Sequence, residues 1–196
     1  MDINQRIASR LCQFRTAQGL TLAALAERSG VSRSNISLIE RGESSATATV
    51  LDKLTAALGM TMSSLFEAPA APVAPPSPLA RREQQAVWTD PASGYVRHNL
   101  SPPAYSPIEL AEVHFPPGQR VAYETSTRHQ DVYQQVWIIE GTMELTIGAV
   151  RWRLDTGDCL GMRLDQPLSY HNPTATTAHY LVALVAQPQT TIRRET

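Results

Sequence analysis

Hydrophobic positions in the first 68 residues repeat at the spacing of α-helices. Ile7, Leu11 and Phe14 form a stripe that predicts a first helix, with Asp2 at its capping position and Gly19 at its end. Threonine and glycine residues at the positions of helix starts and ends predict four more short helices after it. Their apolar positions are Leu22, Leu25 and Ala26; Ile36 and Ile39; Val50, Leu51, Leu54 and Leu58; and Met62, Leu65 and Phe66, with Thr61 capping the last.

The pattern changes from Ala86 onward, where short runs rich in Val, Ile, Tyr and Trp alternate with Gly, Pro and Asp. Strands are expected at 94–98, 108–115, 119–124, 132–140, 142–147, 150–154, 158–162, 168–171 and 178–185. We expect turns at Glu140-Gly141 and at 156–158, each closing a hairpin. So many short, evenly spaced strands indicate a sandwich or a barrel.

A proline-rich stretch separates the two patterns. Residues 68–78, APAAPVAPPSP, carry five prolines and no charge, which is typical of an extended spacer. We therefore expect a helical domain at 1–68, a linker at 69–84 and a β-domain at 85–196.

Residues 21–42, TLAALAERSGVSRSNISLIERG, predict a helix, a tight turn and a second helix. Thr21 and Ser32 can cap the two helices, and Gly30 can end the first. The string resembles the phage-repressor-like (XRE) helix-turn-helix family, whose second helix lies in the DNA major groove; an ordinary helical hairpin is the alternative. The residues that this resemblance places at DNA are Thr21, Ser32, Arg33, Ser34, Asn35, Ser37, Leu38 and Arg41.

The resemblance also implies a structural role for two charged residues. In this family an Arg late in the first helix pairs with a Glu near the end of the recognition helix. Arg15 and Glu40 stand at the matching positions. We expect an ion pair between them rather than contacts to DNA.

Charge and composition limit how the protein can bind DNA and where in the cell it is expected. The net charge is −1, and residues 1–68 carry seven basic and six acidic side chains, so DNA affinity must come from local charge and from two copies on one duplex. We therefore expect a homodimer, with a tetramer as a further option. No apolar run is long enough for a membrane span, and no signal-peptide pattern is seen. Cys12 and Cys159 lie far apart, have no metal-ligand spacing and are not expected to form a disulfide, so we expect a cytoplasmic protein.

The second half resembles the cupin family, a small double-stranded β-barrel. The resemblance rests on Pro117-Gly118, the strand end 137–141 (WIIEG), Gly157-Asp158, Pro167 and Asn172-Pro173, in that order over about 80 residues. The overall expectation is an α + β two-domain protein. Its parts are an N-terminal five-helix helix-turn-helix bundle and a C-terminal cupin double-stranded β-barrel.

Many cupins hold a metal through two His and a Glu from one motif and a His from a second. Here Gln134 stands at the Glu position and Leu168 at the position of the last His, and the His-x-His pair is missing. His129 is the one nearby imidazole. We therefore expect no metal and no other cofactor in the barrel. The remaining histidines are expected to be ordinary strand or surface residues, although a cluster formed from different strands stays open; they are His98, His114, His171 and His179.

A barrel without metal leaves room for a small organic molecule. If Gln134 faces inward, alternation turns Val136 and Ile138 inward as well and Trp137 outward. The residues expected to line the ligand site are Tyr123, His129, Gln134, Val136, Leu168 and Tyr170.

The pairing of the two domains resembles bacterial transcription regulators, often repressors, that sense amino acids, peptides or polyamines. We expect double-stranded operator DNA and a small-molecule effector as partners, and we expect no catalytic residues. Two alternatives remain. One is an iron-dependent cupin oxidase or epoxidase with an XRE-like domain, and the other is a DNA-binding dimer whose barrel only dimerises.

Overall fold

The computed structural model describes residues 2–67, 77–102, 106–124 and 130–188. Its first part is helical and its second part is built of antiparallel strands. The helices are α1 (Ile3–Ala17), α2 (Leu22–Ser29), α3 (Arg33–Glu40), α4 (Ala48–Leu58) and α5 (Met62–Phe66), followed by a short 3₁₀ helix (Arg82–Gln84). Residues 69–76 of the predicted linker 69–84 lie outside the described residues, and the 3₁₀ helix occupies the end of its described half.

Helix ends follow the local chemistry of the sequence at most positions. The hydroxyls of Thr21 and Ser32 accept hydrogen bonds from the amides of Ala24 and Asn35, as predicted. Gly30 ends α2 in the left-handed conformation at φ 68°. These caps satisfy backbone groups that helix termini leave unpaired.

Two predicted caps are wrong. Asp2 occupies the N-cap of α1, but its side chain makes no capping hydrogen bond within the described residues. Thr61 precedes α5 without capping it, because no backbone amide of α5 donates to its hydroxyl. The hydroxyl instead donates to Glu109 Oε1 at 2.6 Å and lies 3.0 Å from the Ser64 hydroxyl, so it faces the β part of the molecule.

The strands form two sheets. They are β1 (Val87–Thr89), β2 (Val96–Asn99), β3 (Ile108–Phe115), β4 (Arg120–Tyr123), β5 (Gln130–Glu140), β6 (Thr142–Ile147), β7 (Val150–Asp155), β8 (Cys159–Arg163), β9 (Leu168–His171) and β10 (Ala178–Pro188). Strand order is β1-β2-β3-β10-β5-β8 in the six-stranded sheet and β4-β9-β6-β7 in the four-stranded sheet. The nine predicted strands are present, while the three-residue β1 was not predicted.

The two predicted hairpins are wrong. At Glu140-Gly141 the chain leaves β5 in the six-stranded sheet and enters β6 in the four-stranded sheet, and residues 156–158 return it from β7 to β8. Gly141 is required at the first crossing, because its φ is +88° and a Cβ there would lie 3.1 Å from Ala178 Cα. These two crossings connect the two sheets, which face each other. The hairpin in this region is instead formed by β6 and β7 within the four-stranded sheet.

The helical and β parts share one hydrophobic core. The rings of Phe66 in α5 and Trp88 in β1 lie 5.7 Å apart between centroids. Buried Asp90 accepts a 2.9 Å hydrogen bond from the backbone N–H of Ala48, the first residue of α4. An acid at a helix N-terminus is favoured by the helix dipole. No helix in the described ranges is long and apolar enough to cross a membrane.

Candidate DNA-binding helix and ligand cavity

The second helix of the helix-turn-helix segment presents a polar face. Ile36 and Ile39 are buried and fix α3 against the core of the helical part. The first turn of α3 therefore projects outward, with Arg33 and Ser34 exposed and Asn35 half-buried. This is the part of a recognition helix that reads base edges in helix-turn-helix proteins.

The structure gives several predicted DNA residues local partners. Thr21 and Ser32 cap α2 and α3, which leaves their exposed side chains at helix N-termini. Arg41 pairs with Glu43 at 2.7 Å and donates to the Ser37 hydroxyl, so DNA must compete with Glu43 for this guanidinium. The eight predicted residues all lie on α3, at its exit or at the two caps; Leu38 is 37% exposed.

The ion pair expected between Arg15 and Glu40 is confirmed. Arg15 donates from Nε to Glu40 Oε1 at 2.6 Å and from Nη2 to Oε2 at 2.7 Å. The side chains are only 13% and 8% exposed. The hydrogen bond to Glu40 raises the pKa of Arg15, and the pair ties α1 to the end of α3.

A cavity of about 100 Å³ lies between the two sheets and is closed on one side by the helical part. From the helices it is lined by Asp52, Thr55, Met60, Thr61 and Met62. From the β part it is lined by Tyr95, Arg97, Glu109, Val113, Tyr123, Glu124, Val132, Gln134, Leu164, Gln166, Leu168, Tyr170, Tyr180, Val182 and Leu184. Ligand sites commonly form at such boundaries between structural parts.

Four of the six residues predicted for the ligand site come together in this cavity: Tyr123, Gln134, Leu168 and Tyr170. Val136 is fully buried, as alternation requires, but packs in the core and does not line the cavity. His129 lies outside the described residues. The outward direction predicted for Trp137 is confirmed, since that residue is 48% exposed.

Hydrogen-bonding groups are concentrated on an aromatic wall. Gln134 Nε2 donates to the hydroxyl of Tyr170, and the ring of Tyr180 stacks on Tyr170 with centroids 6.1 Å apart. Burial raises the pKa of Tyr95 to about 12 and raises those of Tyr123, Tyr170 and Tyr180 as well. These phenols therefore stay protonated at neutral pH and can donate hydrogen bonds to a ligand.

Sequence reasoning missed the charged residues of the cavity. Glu109 is in β3, where every second residue from 109 to 115 faces inward; its Oε2 is buried without a hydrogen-bond partner in the described part of the chain. Asp52 and Glu124 add two carboxylates, against one guanidinium from Arg97. The sequence did carry one signal for this site, which is the acidic Glu109 at an inward position of a strand. Burying a charge there has a large desolvation cost unless it gains a partner, so such a position indicates a binding site or an ion pair.

The cavity residues do not fit the metal site that the cupin resemblance implies. Gln134 is held by Tyr170 and Leu168 is apolar, and the described lining contains no histidine or cysteine. Imidazole and thiolate are the donors that transition-metal sites in proteins mostly use. We therefore derive no chemistry through a metal in this cavity.

Comparison with known proteins agrees with both halves of this architecture. Residues 13–65 match a helix-turn-helix family model, and residues 111–184 match a cupin domain model. The HTH-type transcriptional regulator SutR of Escherichia coli K12 is 30% identical over 176 residues, which cover 89% of this chain and 91% of SutR. The HTH-type transcriptional regulator PuuR of the same organism is 25% identical over 166 residues, or 85% and 87% of the two chains.

A solved structure shares the fold over the full length. The crystal structure of a helix-turn-helix family transcriptional regulator from Vibrio cholerae aligns with a TM-score of 0.75 and 23% identity, covering 95% of this chain and 98% of that one. The fold and the two sites define a regulator class in which a helix-turn-helix part is joined to a cupin part. This chain belongs to the family of HTH-type transcriptional regulators, and the family resemblance expected from the sequence is confirmed.

Proposed function

We propose that this protein is an operator-binding repressor whose cupin part senses a small metabolite. The observation that carries the proposal is the cavity lined by both parts of the molecule. A ligand there touches α4 and the α4–α5 turn directly, and these elements belong to the helical bundle that presents α3. Ligand binding can therefore change operator affinity if it favours one arrangement of the two parts.

The lining favours an effector with an amino group and an apolar portion. Glu109 offers a buried carboxylate oxygen, and the four tyrosines provide aromatic faces that attract cations. Glu124 contributes less negative charge, because Lys53 pairs with it at 2.7 Å. Amino acids, peptides and polyamines all carry such groups. The cavity volume of about 100 Å³ is far below the 300–1,000 Å³ typical of drug-sized ligands, which favours the smaller members of these classes.

The outer face of the six-stranded sheet supports a homodimer. On β3 and β5, four large apolar side chains are 38–49% exposed on this face: Ile108, Leu110, Tyr133 and Trp137. Leu181, Ala183 and Val185 of β10 lie between them, whereas His114 and His179 stand at the end of these strands, outside this apolar area. A second copy on this face would cover apolar surface and set the spacing of two recognition helices.

An iron-dependent oxidase or epoxidase is the alternative function, and the residues of the cavity do not favour it. Such an enzyme requires an open metal site, and Gln134 and Leu168 stand where two of its ligands are expected. Stoichiometric iron in the cavity of the purified protein, lost on removing His129, would favour the enzyme.

Arg33 is expected to read the operator. It is exposed in the first turn of α3, and an arginine there can make two hydrogen bonds to a guanine. We expect Arg33→Ala to cost about 1–3 kcal/mol of binding free energy on an operator selected from random DNA by the parent protein, and to relax sequence preference. Fluorescence anisotropy on operator and scrambled duplexes measures both effects.

Arg28→Ala is the matched control, because Arg28 is exposed at the end of α2 rather than on α3. It should leave sequence preference intact even if it weakens binding to every duplex alike. Unchanged preference in Arg33→Ala would remove this residue from base recognition.

Gln134 is expected to take part in effector recognition. Gln134→Leu removes the donor to Tyr170 and a polar group of the lining, so we expect a weaker response to effector with operator binding by the free protein unchanged. The measurement is an operator-binding titration of the full chain against amino acids, short peptides and diamines.

Gln119→Leu is a control of the same type, since Gln119 is exposed between β3 and β4 and does not line the cavity. It should respond like the parent protein. The account of the cavity is wrong if Gln134→Leu also responds like the parent, or if the effector acts only together with a divalent metal that binds in the cavity.

A further inference from the structure

Four side chains capable of ligating metal ions meet on the outer face of the six-stranded sheet. Glu112 and His114 are two residues apart in β3, so they share one face, while Val113 between them is buried. His179 of β10 stands opposite His114 in the strand register, and His98 of β2 stands opposite Glu112. The register of three neighbouring strands therefore gathers these residues into one cluster.

The ligand atoms of this cluster are close enough to share one ion. His179 Nε2 lies 2.8 Å from Glu112 Oε1, and the rings of His114 and His179 stack with centroids 4.4 Å apart. One nitrogen or oxygen from each of Glu112, His114 and His179 lies within 4.8 Å of the other two. Two imidazoles and one carboxylate are also the donor types that zinc and related ions select.

We propose that Glu112, His114 and His179 form a binding site for a divalent transition-metal ion, with Zn²⁺ the best match. Tetrahedral Zn²⁺ with bonds of about 2.0–2.1 Å places its ligand atoms about 3.3 Å apart. The present 2.8 Å contact between His179 and Glu112 then opens by about 0.5 Å, a side-chain adjustment. Three protein ligands leave a fourth position for water.

His98 acts as a positioning residue for the carboxylate. Its Nδ1 lies 3.4 Å from Glu112 Oε2, the oxygen that does not contact His179, and its side chain is 10% exposed. Its Nε2 is buried without a hydrogen-bond partner among the described residues, so Glu112 is the partner that orients this ring. Carboxylates that bind metals are commonly fixed by such a second hydrogen bond.

Glu112 is already oriented toward the cluster through both of its oxygens. Its Oε1 lies 2.8 Å from His179 Nε2, and its Oε2 lies 3.4 Å from His98 Nδ1. The site is separate from the metal position of other cupins, because Glu112 and His114 point away from the cavity that Val113 lines.

The test uses untagged full-length protein stripped with EDTA and titrated with Zn²⁺ by calorimetry and with Co²⁺ by visible absorption. We expect one equivalent to bind per chain. His179→Ala and the near-isosteric Glu112→Gln should each weaken binding by more than about 100-fold, and His98→Ala by about 10–100-fold.

His171→Ala is the matched control. His171 pairs with Glu144 at 3.0 Å on the four-stranded sheet, where the described residues bring no third metal-ligating side chain to the pair. It should bind metal like the parent. Zn²⁺ should also raise the melting temperature of the parent but not of Glu112→Gln.

The proposal is overturned by either of two results. One is the absence of saturable metal uptake by the parent protein. The other is a parent-like affinity in both His179→Ala and Glu112→Gln, with circular dichroism showing that both variants are folded. Because these measurements use neither operator nor effector, their failure leaves the proposed regulatory function untouched.

Discussion

Arg15→Ala is expected to destabilise the helical part by about 3–5 kcal/mol, because it leaves the Glu40 carboxylate buried without its partner. Both side chains are largely buried, so the carboxylate loses two charge-assisted hydrogen bonds in a poorly solvated position. Thermal and urea unfolding monitored by circular dichroism measure the loss. The same result is expected for Glu40→Ala.

A double replacement discriminates an ion pair from simple packing. Arg15→Met combined with Glu40→Leu should be less destabilising than either single alanine variant, since no charge is then left buried. Arg41→Ala is a control from a surface pair, with side chains 52% and 53% exposed, and should change stability little. Thermally silent single variants at Arg15 and Glu40 would show that the pair does not stabilise the protein.

The second large effect is expected at Asp90, which joins the two parts of the molecule. Its Oδ1 accepts from the Ala48 amide and its Oδ2 from the amide and hydroxyl of Ser93, all at 2.9 Å or less. In Asp90→Asn one acceptor becomes a donor that faces another donor. We expect a loss of about 1–3 kcal/mol in unfolding free energy and a weaker effect of effector on operator affinity.

The test measures stability and linkage separately. Operator affinity without effector and effector affinity without operator should stay close to those of the parent, while the ratio of operator affinities with and without effector approaches one. Asp155→Asn is the control, because Asp155 is an exposed acid in β7, away from the helices. Full linkage in Asp90→Asn would show that coupling runs through other contacts, such as Lys53 with Glu124.

Local signals in the sequence were enough to locate the helix-turn-helix. The hydroxyls of Thr21 and Ser32 and the left-handed Gly30 act within three residues of themselves, so their effect is visible without tertiary structure. Alternation along β5 likewise placed Gln134 inside and Trp137 outside, because a strand turns successive side chains to opposite faces.

Strand partners were decided only by the tertiary structure. Glu140-Gly141 has the chemistry of a hairpin turn, yet β5 pairs with β10 and β8, whereas β6 pairs with β7 and β9. The turn residues determine that the chain reverses direction there. Which sheet the next strand joins depends on which apolar faces pack against each other. Both predicted hairpins failed for this reason.

The charged groups of the cavity and of the proposed metal site are also brought together by contacts between residues far apart in sequence. Thr61 meets Glu109 across 48 positions of sequence, and His179 meets Glu112 across 67. Alternation turns Glu109 inward and Glu112 outward along β3, but it does not give their partners on other elements. The sequence by itself therefore determined the five α-helices, nine of the ten described strands and the inward positions of β5. Strand register and the packing of α4 and α5 on the sheets decided which residues share a cavity or a cluster, because such contacts depend on the whole chain.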